Sequence, residues 1–192
     1  METQNLSVAG KQALNLIEFD AAEKIVCEIR KHPFGLLLVW LTGLVIATAL
    51  MLAAVLFVVL VNDESVTNGA NASSIAGIVA VIGFFLVLLV LLATTITAYL
   101  YRKNVVLVTS EKIAEVLYPT LFNRSITQFA IEDIQNVTIK QNGFFPHIFN
   151  YGTLLVETAG ESENLTFTFT PMPHSFAKQI VAAREQYINT HN

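Results

Sequence analysis

Residues 34–61 read FGLLLVWLTGLVIATALMLAAVLFVVLV, and residues 75–100 read IAGIVAVIGFFLVLLVLLATTITAYL. Each stretch is longer than the roughly 20 residues that an α-helix needs to cross about 30 Å of hydrocarbon. Neither stretch contains Lys, Arg, Asp, Glu or His. A helix in lipid satisfies its own backbone hydrogen bonds, whereas a soluble chain of 192 residues has too little protein to cover both stretches. The sequence therefore predicts two transmembrane helices.

Composition limits what the rest of the chain can be. After a two-helix anchor, 192 residues leave room for one small folded domain. The net charge of −4 gives no general attraction to nucleic acid or to acidic lipid, so we expect no nucleic-acid partner. The single cysteine, Cys27, excludes an internal disulfide framework and any zinc site built on several cysteines.

The basic residues beside the two apolar runs predict the orientation in the membrane. Arg30 and Lys31 precede the first run and Arg102 and Lys103 follow the second, whereas residues 62–74 contain neither Lys nor Arg. Basic flanks stay on the cytoplasmic side. We therefore expect a multi-pass protein of the inner or plasma membrane with both termini in the cytoplasm. The predicted segments are a cytoplasmic N-terminal segment (1–33), transmembrane helix 1 (34–61), an extracytoplasmic loop (62–74), transmembrane helix 2 (75–101) and a cytoplasmic domain (102–192).

Small residues mark candidate packing faces on the two predicted helices. Gly43 and Ala47 are four residues apart on the first helix, and Ala76, Ala80 and Gly83 follow a similar spacing on the second. In lipid, small side chains let helix backbones approach closely. The alternative is that small residues are simply common in membrane helices, and the sequence leaves both readings open.

The pattern changes to short strands after Lys103. Six or seven short β-rich stretches separated by turn residues predict an antiparallel sheet, and the clearest alternation places Leu165, Phe167 and Phe169 on one face. After Pro173, apolar residues recur with the spacing of an amphipathic helix. The predicted fold is a membrane α-helical hairpin plus an α+β domain, in which a small β-barrel or curled antiparallel sheet is capped by a C-terminal helix.

Four stretches of the chain carry a family resemblance: EKIVCEIRKHP (23–33), VTSEKI (108–113), IEDIQNV (131–137) and FNYGTL (149–154). Their content and order around two apolar runs resemble the bacterial pleckstrin-homology (PH) domain of YdbS-like membrane proteins. The resemblance covers the chain from about residue 23 onward. It departs from the pattern at Asn150, where glycine is common in the family. The resemblance implies a PH-like fold and a scaffold or protein-interaction role rather than an enzyme.

The residues themselves indicate no catalytic or cofactor site. The four histidines are dispersed, with no pair at metal-binding helix spacing and no accompanying cysteine. There is no phosphate-binding glycine loop, no dinucleotide-binding fingerprint and no nucleophile elbow. We therefore expect no enzyme activity, no catalytic residue, no metal and no cofactor.

Two sets of residues are candidates for interactions. Phe144, Phe145, His147, Ile148 and Phe149 form an aromatic-rich connector that either completes the domain core or is an exposed loop touching the membrane or a partner. Lys112, Arg124 and Lys140 are scattered basic residues that bind a lipid headgroup only if the fold brings them together.

Two function classes follow from these observations. The first is a membrane-anchored interaction or scaffold module with a protein partner or a second copy of the chain, in addition to the bilayer itself. The second is a lipid-headgroup-binding or envelope-maintenance factor. A transport role ranks below both because no ionisable residue lies within the apolar runs.

Overall fold

The structure is a computed structural model that describes residues 6–19, 23–61, 72–159 and 164–191. The chain divides into two compact units. One, here called the head, comprises residues 1–36 and 100–192, and the other, here called the helical unit, comprises residues 37–99. Most of the predicted 62–74 loop lies outside the described residues.

Two long helices account for the apolar runs. They are α2 (Pro33–Val61) and α3 (Ala72–Lys103). Both are long enough and apolar enough to cross a membrane, and only 11% and 6% of their most apolar windows are buried by protein. A core helix of a soluble protein is mostly buried, so these surfaces need another apolar environment.

Small residues mediate contacts inside the helical unit. A Cβ atom added to Gly43 would overlap the side chain of Thr94, and one added to Gly83 would lie 3.1 Å from the Cβ of Ala54. Because the early part of α2 meets the late part of α3, and the reverse, the two helices run antiparallel. Of the other predicted packing residues, Ala47 is buried, Ala76 is half-buried and Ala80 is exposed.

The first sheet of the head contains a strand that the sequence analysis did not identify. Its antiparallel order is β1 (Ile25–Arg30), β2 (Val105–Thr109), β3 (Lys112–Leu117) and β4 (Ser125–Ala130). Strand β1 precedes both long helices and pairs with β2, which follows them. The head is therefore built from both sides of the apolar region, and not from residues 102–192 alone.

The second sheet has three antiparallel strands in the order β5 (Ile134–Lys140), β6 (Tyr151–Thr158) and β7 (Leu165–Pro171). A single 3₁₀ turn, Ile131–Asp133, leads into β5, and a short helix, α4 (Phe144–Ile148), connects β5 to β6. The predicted antiparallel architecture with a C-terminal helix is confirmed. The two sheets remain separate and do not close into a barrel, so the barrel variant of that prediction is corrected.

The main core of the head lies between these sheets and the C-terminal helix α5 (Pro173–His191). Fully buried side chains come from all three layers: Ile29, Val106 and Ile113 from the first sheet, Leu154 and Phe167 from the second, and Ile180 from α5. Burial of each such side chain contributes about 1.5–3 kcal/mol. The apolar stripe of α5 therefore faces the sheets, as its spacing predicted.

A second core covers the other face of the first sheet. Helix α1 (Val8–Leu14) and the segment after it place Ala13 and Ile17 against Val105 and Leu107. Strand β2 is consequently buried on both faces. This explains why its sequence, VVLVT, is a continuous apolar run rather than an alternating one.

Candidate functional site

The candidate site lies at the end of the head where the chain enters α2 and leaves α3. Arg30, the last residue of β1, pairs with Val105, the first residue of β2. The His32 N–H donates to the Phe169 carbonyl at 2.6 Å, and the Tyr101 hydroxyl donates to the His32 carbonyl at 2.8 Å. These bonds hold together residues from both flanks of the apolar region and from the second sheet.

An open cavity of about 610 Å³ lies at this end of the head. Three of its lining residues are basic: Arg30, Lys31 and Arg102. One is acidic, Glu28. The remaining lining residues are apolar or aromatic: Pro33, Leu36, Tyr101, Pro171, Met172 and Phe176. The cavity thus combines positive charge with an apolar wall.

Lys31 is held in place by aromatic and polar contacts. Its ammonium lies 5.4 Å from the centre of the Tyr101 ring and 5.6 Å from that of Phe167, and its Nζ is 3.4 Å from Thr168 Oγ1. Burial lowers the pKa of Lys31, and the carboxylate of Glu115 opposes that shift. The charge is therefore positioned by contacts from α3 and from strand β7.

The acidic residue of the cavity is already engaged. The Glu28 carboxylate accepts hydrogen bonds from the Ser7 backbone N–H at 2.8 Å and from the Ser7 hydroxyl. Its Oε1 also lies 3.9 Å from Nε of Arg30, whose side chain is 63% exposed. One carboxylate against three cationic side chains offsets only part of the positive charge around the cavity.

Aromatic side chains form a second surface at the same end of the head. The Phe34 ring stacks on Phe145, Phe149 and Tyr151, with ring centres 5.6, 4.8 and 5.1 Å apart. Phe34 is the first residue of the first apolar run. The exposed aromatic helix α4 therefore adjoins the point where that run begins.

The predicted interaction residues are exposed. Phe144 is 74% exposed, and Phe145, Ile148 and Phe149 are also exposed. His147 is exposed, with its Nδ1 2.8 Å from the Gly143 carbonyl. These side chains are therefore not buried in the core of the head, which was the other alternative for this connector. We call Phe144, Phe145, Ile148 and Phe149 the α4 patch.

The backbone is strained at three positions around this end of the head. Asn150, Phe169 and Met172 have φ values of 50°, 56° and 39°, which side chains other than glycine rarely adopt. At Phe169 the predicted alternation fails, because Leu165 and Phe167 are buried but Phe169 is only half-buried and Thr170 is buried instead. The cause is the positive φ, which turns Phe169 toward Tyr151 and Tyr101.

We expect Asn150→Gly to be tolerated and Asn150→Val to destabilise the head by about 1–2 kcal/mol. Glycine adopts a positive φ without cost and asparagine at a small cost, whereas a β-branched side chain clashes with its own backbone there. Denaturant titration of the detergent-solubilised chain, monitored by proteolysis, measures the difference. The matched control is Gln128→Val, at an exposed position of the extended strand β4. A penalty of equal size at that position would contradict the explanation.

The predicted lipid-binding residues do not converge. Lys112 and Arg124 lie at opposite ends of the β3–β4 pair, because Lys112 pairs with Ala130 whereas Arg124 directly precedes Ser125. The six residues of β3 separate them by about 20 Å. Lys112 is also paired with Glu23 at 3.2 Å. Lys140 ends a strand of the other sheet.

The basic residues that do converge were interpreted in the sequence only as signals of orientation. Arg30 and Lys31 are separated from Arg102 by the whole apolar region, and the β1–β2 pairing brings them to one cavity. The usable signal was the alternation in IVCEIR, which identifies β1 as a strand. Among the described residues there is no group of three or more His, Cys, Asp or Glu side chains that could hold a metal ion.

Comparison with known proteins shows that the chain matches a family model described as a bacterial PH domain. The match covers residues 25–184, from the first residue of β1 into α5. Neither a curated protein nor a solved structure matches the chain. The matched range includes both the sheets of the head and the two apolar helices between β1 and β2, in agreement with the resemblance found in the sequence. The chain therefore belongs to the bacterial PH domain family.

Proposed function

We propose that this protein is a non-enzymatic, membrane-anchored interaction or scaffold module. In this proposal α2 and α3 span the inner or plasma membrane, both termini lie in the cytoplasm, and the head presents a PH-like surface to a protein partner or to a second copy of the chain. Family membership supports the general interaction role, since PH domains are typically non-catalytic. The basic flanks and apolar lengths of the helices support the topology.

The observation that carries the proposal is the α4 patch. Four large apolar side chains are exposed on one short helix and its C-terminal end, outside the long apolar helices. Contiguous exposed apolar surface on a folded domain marks an interaction site more often than chance. A further exposed aromatic, Phe122 at 95%, lies in the β3–β4 connection.

Photocrosslinking in intact membranes tests the proposal. A benzophenone amino acid replaces Phe144 in the full chain, and the matched control carries it at Val181, an exposed apolar position on α5. We expect a protein adduct of one defined mass from position 144 and none from position 181. The same adducts from both positions, or no protein adduct from position 144, would contradict the scaffold role.

Loss of side-chain bulk in the α4 patch gives a second measurement. We expect Phe144→Ser combined with Ile148→Ser to change the free energy of unfolding of the head by less than about 1 kcal/mol, because both side chains are exposed. With the photocrosslinking amino acid placed at Phe145 instead, we expect the same double substitution to abolish the protein adduct. If the double variant unfolded, Phe144 and Ile148 would have to be part of the core of the head and not of an interaction surface. Val181→Ser is the control substitution.

The alternative function is a lipid-headgroup-binding or envelope-maintenance role. The specific observation that favours it is the cavity lined by Arg30, Lys31 and Arg102. The headgroup candidates predicted from the sequence, Lys112, Arg124 and Lys140, do not support it, because they do not converge. Adducts formed only with lipid at position 144 would also favour this alternative over a protein scaffold.

A further inference from the structure

We propose that the cavity lined by Arg30, Lys31 and Arg102 binds the phosphate of an anionic phospholipid headgroup. The inference rests on the proposed membrane anchoring, but it does not require a protein partner at the α4 patch. It assigns the headgroup contact to residues from both flanks of the apolar helices, away from Lys112, Arg124 and Lys140.

Charge favours an anionic ligand in this cavity. Three cationic side chains line it, and its single carboxylate, on Glu28, already accepts two hydrogen bonds from Ser7. Two of the cations are guanidinium groups, whose planar donors match phosphate oxygens in pairs. The ammonium of Lys31 is fixed between Tyr101 and Phe167, so one charge is in place before a ligand arrives. A preorganised charge loses less entropy on binding.

The apolar wall favours a lipid over a fully polar anion. Leu36, Met172 and Phe176 line the same cavity as the basic residues. A volume of about 610 Å³ lies in the range of about 300–1,000 Å³ that is typical of small-molecule sites. A glycerophosphate group with the first carbons of its acyl chains presents the same combination of charge and apolar surface.

The position of the cavity in the chain places it at the depth of lipid phosphates. Arg30 and Lys31 lie within three residues of the start of α2, and Arg102 is in the last turn of α3. Basic residues at helix ends lie at the headgroup level of a bilayer, with their stems along apolar surface.

Native mass spectrometry of the full chain in neutral detergent tests the assignment. Phosphatidylglycerol and phosphatidylcholine are titrated separately, and inorganic phosphate is added in a third arm. We expect one phosphatidylglycerol to bind saturably, at least tenfold more tightly than phosphatidylcholine. We expect Arg30→Gln with Arg102→Gln to weaken the binding at least tenfold, because each lost phosphate contact removes a charge-assisted hydrogen bond.

The matched control is Arg124→Gln with Lys140→Gln, which removes the same amount of charge at positions predicted from the sequence. An equal loss in this control would mean diffuse charge attraction and would overturn the proposal. Equal binding of the two lipids would overturn it as well. Displacement of phosphatidylglycerol by inorganic phosphate at millimolar concentration would assign the cavity to a soluble phosphate and not to a lipid. Hydrogen exchange of the strands shows whether each variant remains folded. Crosslinking at position 144 tests the scaffold role separately, so failure of one proposal can be told from failure of the other.

Discussion

A fragment of residues 102–192 is expected to remain unfolded, whereas residues 6–36 joined to residues 100–192 by a short Gly/Ser linker are expected to fold without detergent. The fragment lacks β1, whose Ile29 is fully buried in the main core. It also lacks α1 and Ile17, which cover the other face of β2. Without them β2 becomes an exposed apolar edge strand.

The magnitude of this effect follows from marginal stability. Each buried large side chain contributes about 1.5–3 kcal/mol, and a domain of this size has a total stability of about 5–15 kcal/mol. Loss of one strand, one helix and the apolar side chains that they bury in the two cores is therefore enough to abolish folding. The joined chain retains every side chain of both cores, because all of them belong to the head.

The geometry of the junction makes the linker feasible. The Tyr101 hydroxyl bonds the His32 carbonyl, and a Cβ atom added to Gly35 would overlap the Tyr101 ring. Residues on the two sides of the excised helices are thus already in contact. A linker of about eight residues spans up to about 26 Å, which is ample for such neighbours.

Circular dichroism and amide chemical-shift dispersion measure the result. The joined chain should melt cooperatively and the 102–192 fragment should not. Ile29→Asp in the joined chain is the control, because it buries a charge at the position that β1 supplies to the core. Cooperative melting of the 102–192 fragment would show that β1 is dispensable.

The sequence predicted the elements whose signal is local and missed the one whose partner is remote. The alternation of β7 and the apolar stripe of α5 are properties of consecutive residues; both elements form, and the alternation of β7 holds at Leu165 and Phe167 but fails at Phe169. Strand β1 also alternates, with Cys27 and Ile29 toward the core. Its pairing with β2 crosses the entire apolar region, and no pattern within six residues reveals such a partner.

The predicted site differs from the observed one for the same reason: contacts between residues remote in the sequence leave no local pattern. Exposure of Phe144 and Phe145 agrees with one of the two alternatives that the sequence offered, because a short connector leaves few ways to bury adjacent aromatic rings. The convergence of Arg30 with Arg102 depends on strand register, and so does the separation of Lys112 from Arg124. The positions of basic residues in the sequence could not show which of them converge in the fold. The positive φ at Phe169 is likewise not signalled by the alternating pattern LTFTFTP of β7.

We expect Glu115→Gln to stabilise the head by about 2 kcal/mol at pH 8 and to have little effect near pH 4.5. Glu115 lies on β3 between Val106 and Thr127, is only 7% exposed, and has one carboxylate oxygen without a hydrogen-bond partner. Burial raises its pKa to about 7, although the nearby ammonium of Lys31 acts in the opposite direction. The folded head therefore holds a proton that the unfolded chain releases near pH 4.5.

The sign of the pH dependence follows from proton binding. Between about pH 4.5 and 7 the folded state binds more protons at Glu115 than the unfolded state does, so stability falls as the pH rises through this range and stays low above it. A neutral glutamine has no such dependence. Each unit of pKa shift corresponds to about 1.4 kcal/mol, and burial of the glutamine amide offsets part of that gain.

Hydrogen exchange of the full chain in detergent is the suitable measurement, because the only tryptophan, Trp40, lies in α2 and does not report on the head. Amides of β2 and β7 should exchange about 30-fold more slowly in Glu115→Gln than in the wild type at pH 8, and at nearly equal rates at pH 4.5. Glu185→Gln, at an exposed position on α5, should change neither rate. If Glu115→Gln exchanged faster than the wild type at pH 8, the charged carboxylate would have to stabilise the head through Lys31. The cost of burying Glu115 would then be repaid by that attraction, which is the reverse of the balance inferred from its burial and its unpartnered oxygen.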